Sequence, residues 1–216
     1  QPAAWDFLEL TDEWVRLAER ADAICFGSLA QRSPISRQTI QTMAAESAAN
    51  CIRVFDANLR QPFFSIEIIE ESLELATVLK LNENELPQIL ALLGLDAEED
   101  ATTDRLRSGA ERLLAEFPSL ELIAGTRGSR GSLLVRRNEW HEHPGIAVEL
   151  ADPIGSGDAF TAALVHYLLR GASLPTLDEA GNRGGAWVAS QPGAMPILPA
   201  EVRAMLSAAI ESSQVS

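Results

Sequence analysis

The amino-acid sequence predicts an α/β fold, with a mostly parallel sheet covered by helices on both faces. Three observations predict it. Short apolar runs alternate with helical segments of about 10–17 residues, the pattern of crossover units. A chain of 216 residues can bury roughly 70% of the surface its unfolded form exposes, so a full core needs neither metal nor disulfide. Hydrophobic residues make up 46% and charged residues 22%, the balance of an ordinary globular domain.

The elements follow in order. Residues 11–22 (TDEWVRLAERAD) are amphipathic with Thr11 placed as N-cap, and AICFG at 23–27 reads as a strand. Pro and Ser open an Ala-rich helix over 34–50, followed by a buried strand CIRVFD at 51–56. A helix over 65–76 leads to the strand TVLKL at 77–81, and a helix over 82–93 ends in a solvated acidic loop, GLDAEEDATTD. A helix over 103–116 precedes the strand LELIAG at 120–125. The pattern then changes: SLLVRR and EWHEH form two short runs around Asn138, which reads as a hairpin. Helices over 156–170, 175–190 and 199–212 close the chain.

Composition excludes several functions. The net charge is −14, from 17 basic and 31 acidic residues, so the basic footprint of a nucleic-acid binder is missing. Lys80 is the only lysine. No apolar run approaches the ~18 residues that span a bilayer, so no membrane role is expected. An acidic chain still binds small anions, because backbone N–H groups hold phosphate without lysine. Cys25 and Cys51 each sit in an apolar run and read as buried thiols in strands, which suits a reducing cytoplasm. The start, QPAAWDFLEL, has no Met, basic segment or apolar stretch of a signal peptide, and reads as the continuation of a longer protein.

In open parallel sheets, ligands bind beyond the carboxyl ends of the strands. The segments there include GSLAQRS (27–33), DANLR (56–60), NENE (82–85), GTRGSRG (125–131) and DPIGSGD (152–158). The last is the strongest signal. Glycines around Ser156 allow a tight turn that aims successive N–H groups at an anion, and Asp158 beside them is a carboxylate able to accept a proton. The plain alternative is a Gly turn with an acidic first-turn residue that favours the helix dipole.

DPIGSGDAF resembles the D-T-x-G-A-G-D-x-F signature of the ribokinase-like (PfkB) family of sugar kinases. DANLR is similar to that family's D-x-N-x-R segment, KLNENEL (80–86) to its N-x-x-E motif, and GTRGSRGSLLV (125–135) to its T-x-G-x-x-G nucleotide loop. GSLAQRS resembles the sugar-side loop of fructokinase-like members. Four ordered motifs make chance agreement a poor explanation.

The resemblance implies a three-layer α/β/α fold and an ATP-dependent sugar kinase that phosphorylates a hydroxyl of a sugar such as fructose. A 2-keto-3-deoxygluconate or nucleoside kinase, or a non-catalytic nucleotide or sugar-phosphate sensor, remains the alternative. It implies Asp158 as the base, with Gly155, Ser156 and Gly157 as the anion hole. Asp158 must then be open to its substrate, not buried under side chains. Ser156 stands where Ala is commoner and Pro153 where Thr is; neither removes an N–H of the cradle.

Thr126, Gly128, Ser129 and Gly131 would bind nucleotide, with Asn182 in the adenine pocket. A Gly-rich hairpin lead-in is the other reading of that loop, and an ordinary helix Asn of Asn182. Asn58 and Arg60 would meet phosphate or substrate, although Arg60 also reads as a solvated loop residue. Asn82 and Glu85 would organise Mg²⁺ through water, although the same spacing is an N-cap with Glu at N3. Asp152 and Ile154 match positions that hold a monovalent cation, K⁺.

The family's glycine-rich sugar segment and β-sheet lid have no counterpart before Gly27. Residues 1–216 are therefore expected to be one nucleotide-binding and catalytic domain, the C-terminal two-thirds of a sugar kinase whose N-terminal lid, a homodimer contact in many members, is missing. A degraded homologue is the competing explanation. His141 and His143 share one strand face without a third metal ligand, and His166, on a mid-helix face among apolar residues, reads as structural.

Overall fold

The structure, a computed structural model, describes residues 2–60, 62–95 and 103–204. Among these, six strands form one sheet in the order β1-β2-β3-β4-β5-β6. They are β1 (Ala23–Gly27), β2 (Ile52–Asp56), β3 (Val78–Asn82), β4 (Leu122–Thr126), β5 (Ser132–Arg136) and β6 (Glu139–His143). The pairs β1–β2 and β2–β3 are parallel, as helical crossovers require. Between β5 and β6 only two residues intervene, which makes a hairpin, and Asn138 takes the positive φ of 67° that such a turn needs.

The helices that accompany the sheet are α1 (Asp12–Ala18), α2 (Pro34–Ala45), α3 (Ile66–Leu75), α4 (Glu85–Leu92), α5 (Thr103–Glu116), α6 (Ser156–Leu168) and α7 (Leu174–Ala189). Local chemistry sets their starts. Thr11 accepts the N–H of Trp14 and Ser65 that of Ile68, and proline opens α2 and α7. Some ends differ from the sequence expectation. α2 stops at Ala45, not at 50, because Ser47 Oγ donates to the Ala44 carbonyl at 2.8 Å and Cys51 N–H to that of Ala48. α4 starts at Glu85, not at 82, because residues 82–84 form its cap. Of the helix expected over 199–212, residues 200–204 are helical; 205–212 lie outside the described residues, as do 96–102 of the acidic loop.

The chain forms two compact units. One comprises residues 1–125 and 135–139, the other 126–134 and 140–216. In the first, Phe55, Ile69, Leu73, Leu79, Leu81, Ile89, Leu113 and Ile123 are buried, and the Phe26 and Phe55 rings stack at 5.6 Å. Burying a side chain of this kind contributes roughly 1.5–3 kcal/mol. In the second, the buried side chains include Leu134, Phe160, Leu164, Leu174 and Leu177.

Two expectations need correction. Cys51 is buried, but Cys25 is exposed. Alternate strand residues face opposite ways, so Phe26 enters the core while Cys25 stays on the uncovered face of the terminal strand. His166 is exposed near the end of α6, its ring edge-on to Tyr167 at 5.0 Å. It lies on the outward face of that helix.

Candidate functional site

In the first unit, the segment after β2 is held from three sides. Asp56 sits opposite Lys80 in the β2–β3 register, and Lys80 Nζ lies 3.0 Å from its carboxylate in a largely buried ion pair. The Ala57 N–H donates to the Lys80 carbonyl at 3.0 Å, and Ser28 Oγ to the Ala57 carbonyl at 2.7 Å. Asn58 then takes a φ of 37°, and the side chains of Asn58 and Arg60 are exposed.

The third hold is Glu85. Its Oε1 accepts the Leu59 N–H at 2.9 Å and its Oε2 the Asn82 N–H at 2.8 Å. Asn82 Oδ1 in turn accepts the N–H groups of Asn84 and Glu85, at 2.9 and 3.1 Å. This is a reciprocal cap. The Glu85 side chain is buried, and the reciprocal hydrogen bonds of a capping box join it to Asn82, although the helix itself begins at Glu85 with Asn84 at its N-cap position. Both Glu85 carboxylate oxygens accept backbone N–H groups, one from Leu59 and one from Asn82.

In the second unit, the loop after β4 turns through Gly128–Arg130, with Arg127 N–H on the Gly131 carbonyl at 2.8 Å. Its two glycines have different reasons. At Gly131 (φ 81°) a Cβ would meet the His143 carbonyl at 2.0 Å, so this glycine is required by the chain's own close approach. At Gly128 (φ 60°) a Cβ would meet nothing within 4 Å, so the positive φ alone is what favours glycine there. Thr126 is half-buried and Ser129 exposed. Arg127 braces the loop through Glu142 at 2.6 Å and the carbonyls of Ser132 and His143, both at 3.2 Å.

Asn182 lies on α7, in a buried polar network that sequence reading missed. Its carboxamide nitrogen donates to Ser132 Oγ at 2.6 Å, the Asp178 carbonyl at 2.8 Å and Asp178 Oδ1 at 3.1 Å. Ser132 O–H donates to Asp178 Oδ1, and His141 Nδ1 lies 2.8 Å from Asp178 Oδ2. Two residues on, His143 Nε2 lies 2.7 Å from Glu179, which also takes Arg183. Asp178 is fully buried. Burial pushes its carboxyl above the usual carboxylate range, while the hydrogen bonds from Ser132 and His141 pull the other way. The alternation of His141 and His143 was the available signal; their partners on α7 were not legible.

The GSGD turn opens α6. Gly155 is its N-cap at φ 82°, and a Cβ there would meet the Ala194 carbonyl at 2.2 Å. Asp152 Oδ1 accepts the Ile154 N–H at 3.0 Å, tightening the approach. Ser156 N–H donates to the Pro153 carbonyl at 3.3 Å, so of the expected anion hole of Gly155, Ser156 and Gly157 the middle donor is already engaged within the turn. The N–H groups of Gly155, Gly157 and Asp158 have no acceptor among the described residues. They are the free donors of a helix N-terminus, where the dipole favours an anion. Asp158, the third residue of α6, is exposed.

The seat of that turn also escaped the sequence reading. A Cβ at Gly181 of α7 would meet the Phe160 ring at 2.6 Å, and one at Gly185 would meet the Ser156 carbonyl at 3.1 Å. These glycines let α7 run against the first turns of α6. The spacing G-x-x-G-G within a helical segment was the visible cue.

Residues 3–201 match the family described as pfkB family carbohydrate kinase. The chain belongs to this family. Its sequence is 28% identical over 204 residues to Fructokinase-1 of Oryza sativa subsp. japonica, covering 88% of this chain and 59% of that protein. It is 28% identical over 219 residues to the fructokinase of Escherichia coli, covering 92% and 64%. The chain thus spans about six-tenths of the length of the curated relatives it matches. Among solved structures, it is similar to a fructokinase from Vibrio cholerae O395 in a form with fructose, ADP and calcium ion bound. The TM-score is 0.69 at 27% identity, with 87% of this chain and 61% of that chain covered. A nucleoside kinase of Burkholderia thailandensis in complex with inosine superposes with a TM-score of 0.71 at 22% identity, covering 98% and 62%. The fold is ribokinase-like, as the motifs implied.

Proposed function

We propose that this chain supplies the nucleotide and catalytic side of an ATP-dependent sugar kinase, with a ketose such as fructose as the acceptor. One observation carries the reading: an exposed carboxylate, Asp158, beside the unused N–H donors of Gly155, Gly157 and its own backbone. Phosphoryl transfer asks mainly for positioning and charge stabilisation, and this turn offers both with a proton acceptor. Asp158 takes the proton of the acceptor hydroxyl as its oxygen forms the bond to the γ-phosphorus and the bond to the ADP oxygen breaks. The free N–H groups stabilise the negative charge that gathers on the transferring group.

The loop from Thr126 to Gly131 holds the nucleotide, with Gly128 at its open side and Asn182 toward the base. Asn58 and Arg60, exposed after β2, meet substrate or phosphate. Mg²⁺, which neutralises phosphate charge, is held through water by Asn82 and Glu85. A K⁺ ion beside Asp152 and Ile154 belongs to the same reading.

The test is phosphorylation of fructose, 2-keto-3-deoxygluconate and a nucleoside by the protein and by Asp158→Asn. Loss of the base should lower turnover by about 10²-fold or more while ADP binding persists. Full turnover in the Asn variant sinks the mechanism. Preference for the nucleoside over fructose moves the substrate.

A further inference from the structure

The loop from Gly128 to Gly131 lies directly on the chain that follows β6. A Cβ at Gly131 would meet the His143 carbonyl at 2.0 Å and the Gly145 nitrogen at 2.3 Å, and one at Gly145 the Ser129 carbonyl at 2.5 Å. Arg127 joins the two stretches. Its backbone N–H donates to the Gly131 carbonyl at 2.8 Å, closing the loop on itself. Its Nη2 donates to the Ser132 carbonyl, just past the loop, and to the His143 carbonyl, both at 3.2 Å, while Nη1 meets Glu142 at 2.6 Å. His143 is fixed in turn: Nδ1 accepts the Gly145 N–H at 2.9 Å and Nε2 lies 2.7 Å from Glu179. The Arg127 side chain is 11% exposed, and its Nε is buried with no acceptor among the described residues. A buried donor left unpaired costs stability, so stability alone does not account for an arginine here.

We propose that Arg127 is a positioning residue, a clasp that holds the 128–131 loop in its nucleotide-receiving shape before the nucleotide arrives. The proposal rests on the nucleotide reading of that loop. A short loop with glycine at both ends has much backbone freedom to lose. Ordering it only on binding lowers affinity by the fraction of time the free loop is competent. The planar guanidinium fork spans both carbonyls and Glu142 at once, which a lysine ammonium, a point charge on a flexible stem, does not do. The pair with Glu142 is the lesser contact, because that carboxylate is exposed.

The experiment compares the protein with Arg127→Met, Arg127→Lys and Glu142→Gln. It reads ADP affinity with Mg²⁺ by calorimetry, hydrogen exchange of the Arg130 and Gly131 amides, and the unfolding midpoint. Those two amides are bonded within the loop. Arg127→Met should weaken ADP by about tenfold and speed exchange of both amides by about as much in the free protein, and saturating ADP should slow them again. Arg127→Lys should lose about threefold in affinity, and Glu142→Gln less than about twofold.

A merely structural Arg127 would lower the unfolding midpoint and leave ADP affinity per folded molecule unchanged, and that result overturns the proposal. Full affinity in Arg127→Lys would mean that charge alone matters, which also overturns it; this variant decides the matter if Arg127→Met does not fold. In both cases ADP binding by the unaltered protein leaves the nucleotide reading standing. No ADP binding by the unaltered protein overturns that reading, and the clasp with it.

Discussion

The carboxylate of Glu85 accepts the backbone N–H of Leu59 at 2.9 Å, across 26 residues of sequence. Through its other oxygen it caps Asn82 at 2.8 Å. One buried side chain thus ties the loop after β2 to the start of α4.

Removing it should be costly. Glu85→Ala strands two backbone donors, and bonds to a charged acceptor contribute about 1.5–3 kcal/mol each. A loss of about 2–4 kcal/mol is expected in denaturant unfolding, with a smaller loss for Glu85→Gln, which keeps one acceptor. A residue whose sole task is to organise a hydrated cation would leave unfolding in metal-free buffer unchanged.

Gly155→Ala tests the cradle. The new Cβ would sit 2.2 Å from the Ala194 carbonyl at a φ of 82°, which only glycine adopts without strain. Left-handed strain alone costs about 1–3 kcal/mol, and the overlap with backbone adds to it. The expected outcome is a stability loss of at least about 2 kcal/mol, seen as a lowered unfolding midpoint. Gly128→Ala, with its φ of 60° but open surroundings, should suffer the strain without the overlap and lose less.

What was legible in the sequence was whatever is encoded locally. Thr11 and Ser65 cap the helices that their hydroxyls announce, Asn138 turns the hairpin, and Asp158 sits open in the first turn of α6. The four glycine- and Asn-bearing motifs carried the family. What stayed hidden depends on partners remote in sequence. Ser132 and Asn182 are 50 residues apart and His141 and Asp178 are 37 apart, and no spacing rule connects β5 and β6 to one face of α7. Cys25 was misjudged for a related reason: an apolar run shows that a strand is buried somewhere, not which of its faces stays uncovered.

The α6–α7 seam yields a graded prediction. Gly181→Ala places a Cβ 2.6 Å from the Phe160 ring, an overlap that one ring can partly relieve by shifting. Overpacking of this kind costs about 1–3 kcal/mol, set against up to ~1 kcal/mol gained in helix propensity. Gly185→Ala approaches the Ser156 carbonyl at 3.1 Å, a milder contact, but with the backbone of the GSGD turn itself. Gly181→Ala should therefore lower stability more, while Gly185→Ala should weaken ADP binding more. The reverse order would separate the seam from the cradle.

Asp6 and Arg32 supply a pH dependence with a definite sign. Arg32 Nε and Nη2 each reach a carboxylate oxygen of Asp6 at 2.7 Å, and the Ala3 N–H adds a bond at 2.9 Å. The paired guanidinium first, and then that N–H, lower the Asp6 carboxyl from 3.8 to about 2. A depressed carboxyl pKa stabilises the fold only while the group is ionised. The contribution is whole above the unfolded value of 3.8 and is lost as the pH falls toward about 2. Between those limits the unaltered protein should lose stability in acid more steeply than Asp6→Asn, which has no proton to take up. Arg32→Gln should flatten the same slope by letting the carboxyl return toward its ordinary range, and its ring contact with Phe63, at 4.5 Å to the centroid, would be lost as well. That second loss is independent of pH, so it displaces the stability curve of Arg32→Gln without bending it. Urea midpoints measured from pH 5 to pH 2 for the three proteins separate the two effects, and parallel curves for the unaltered protein and Asp6→Asn would mean that this ion pair carries no part of the acid response.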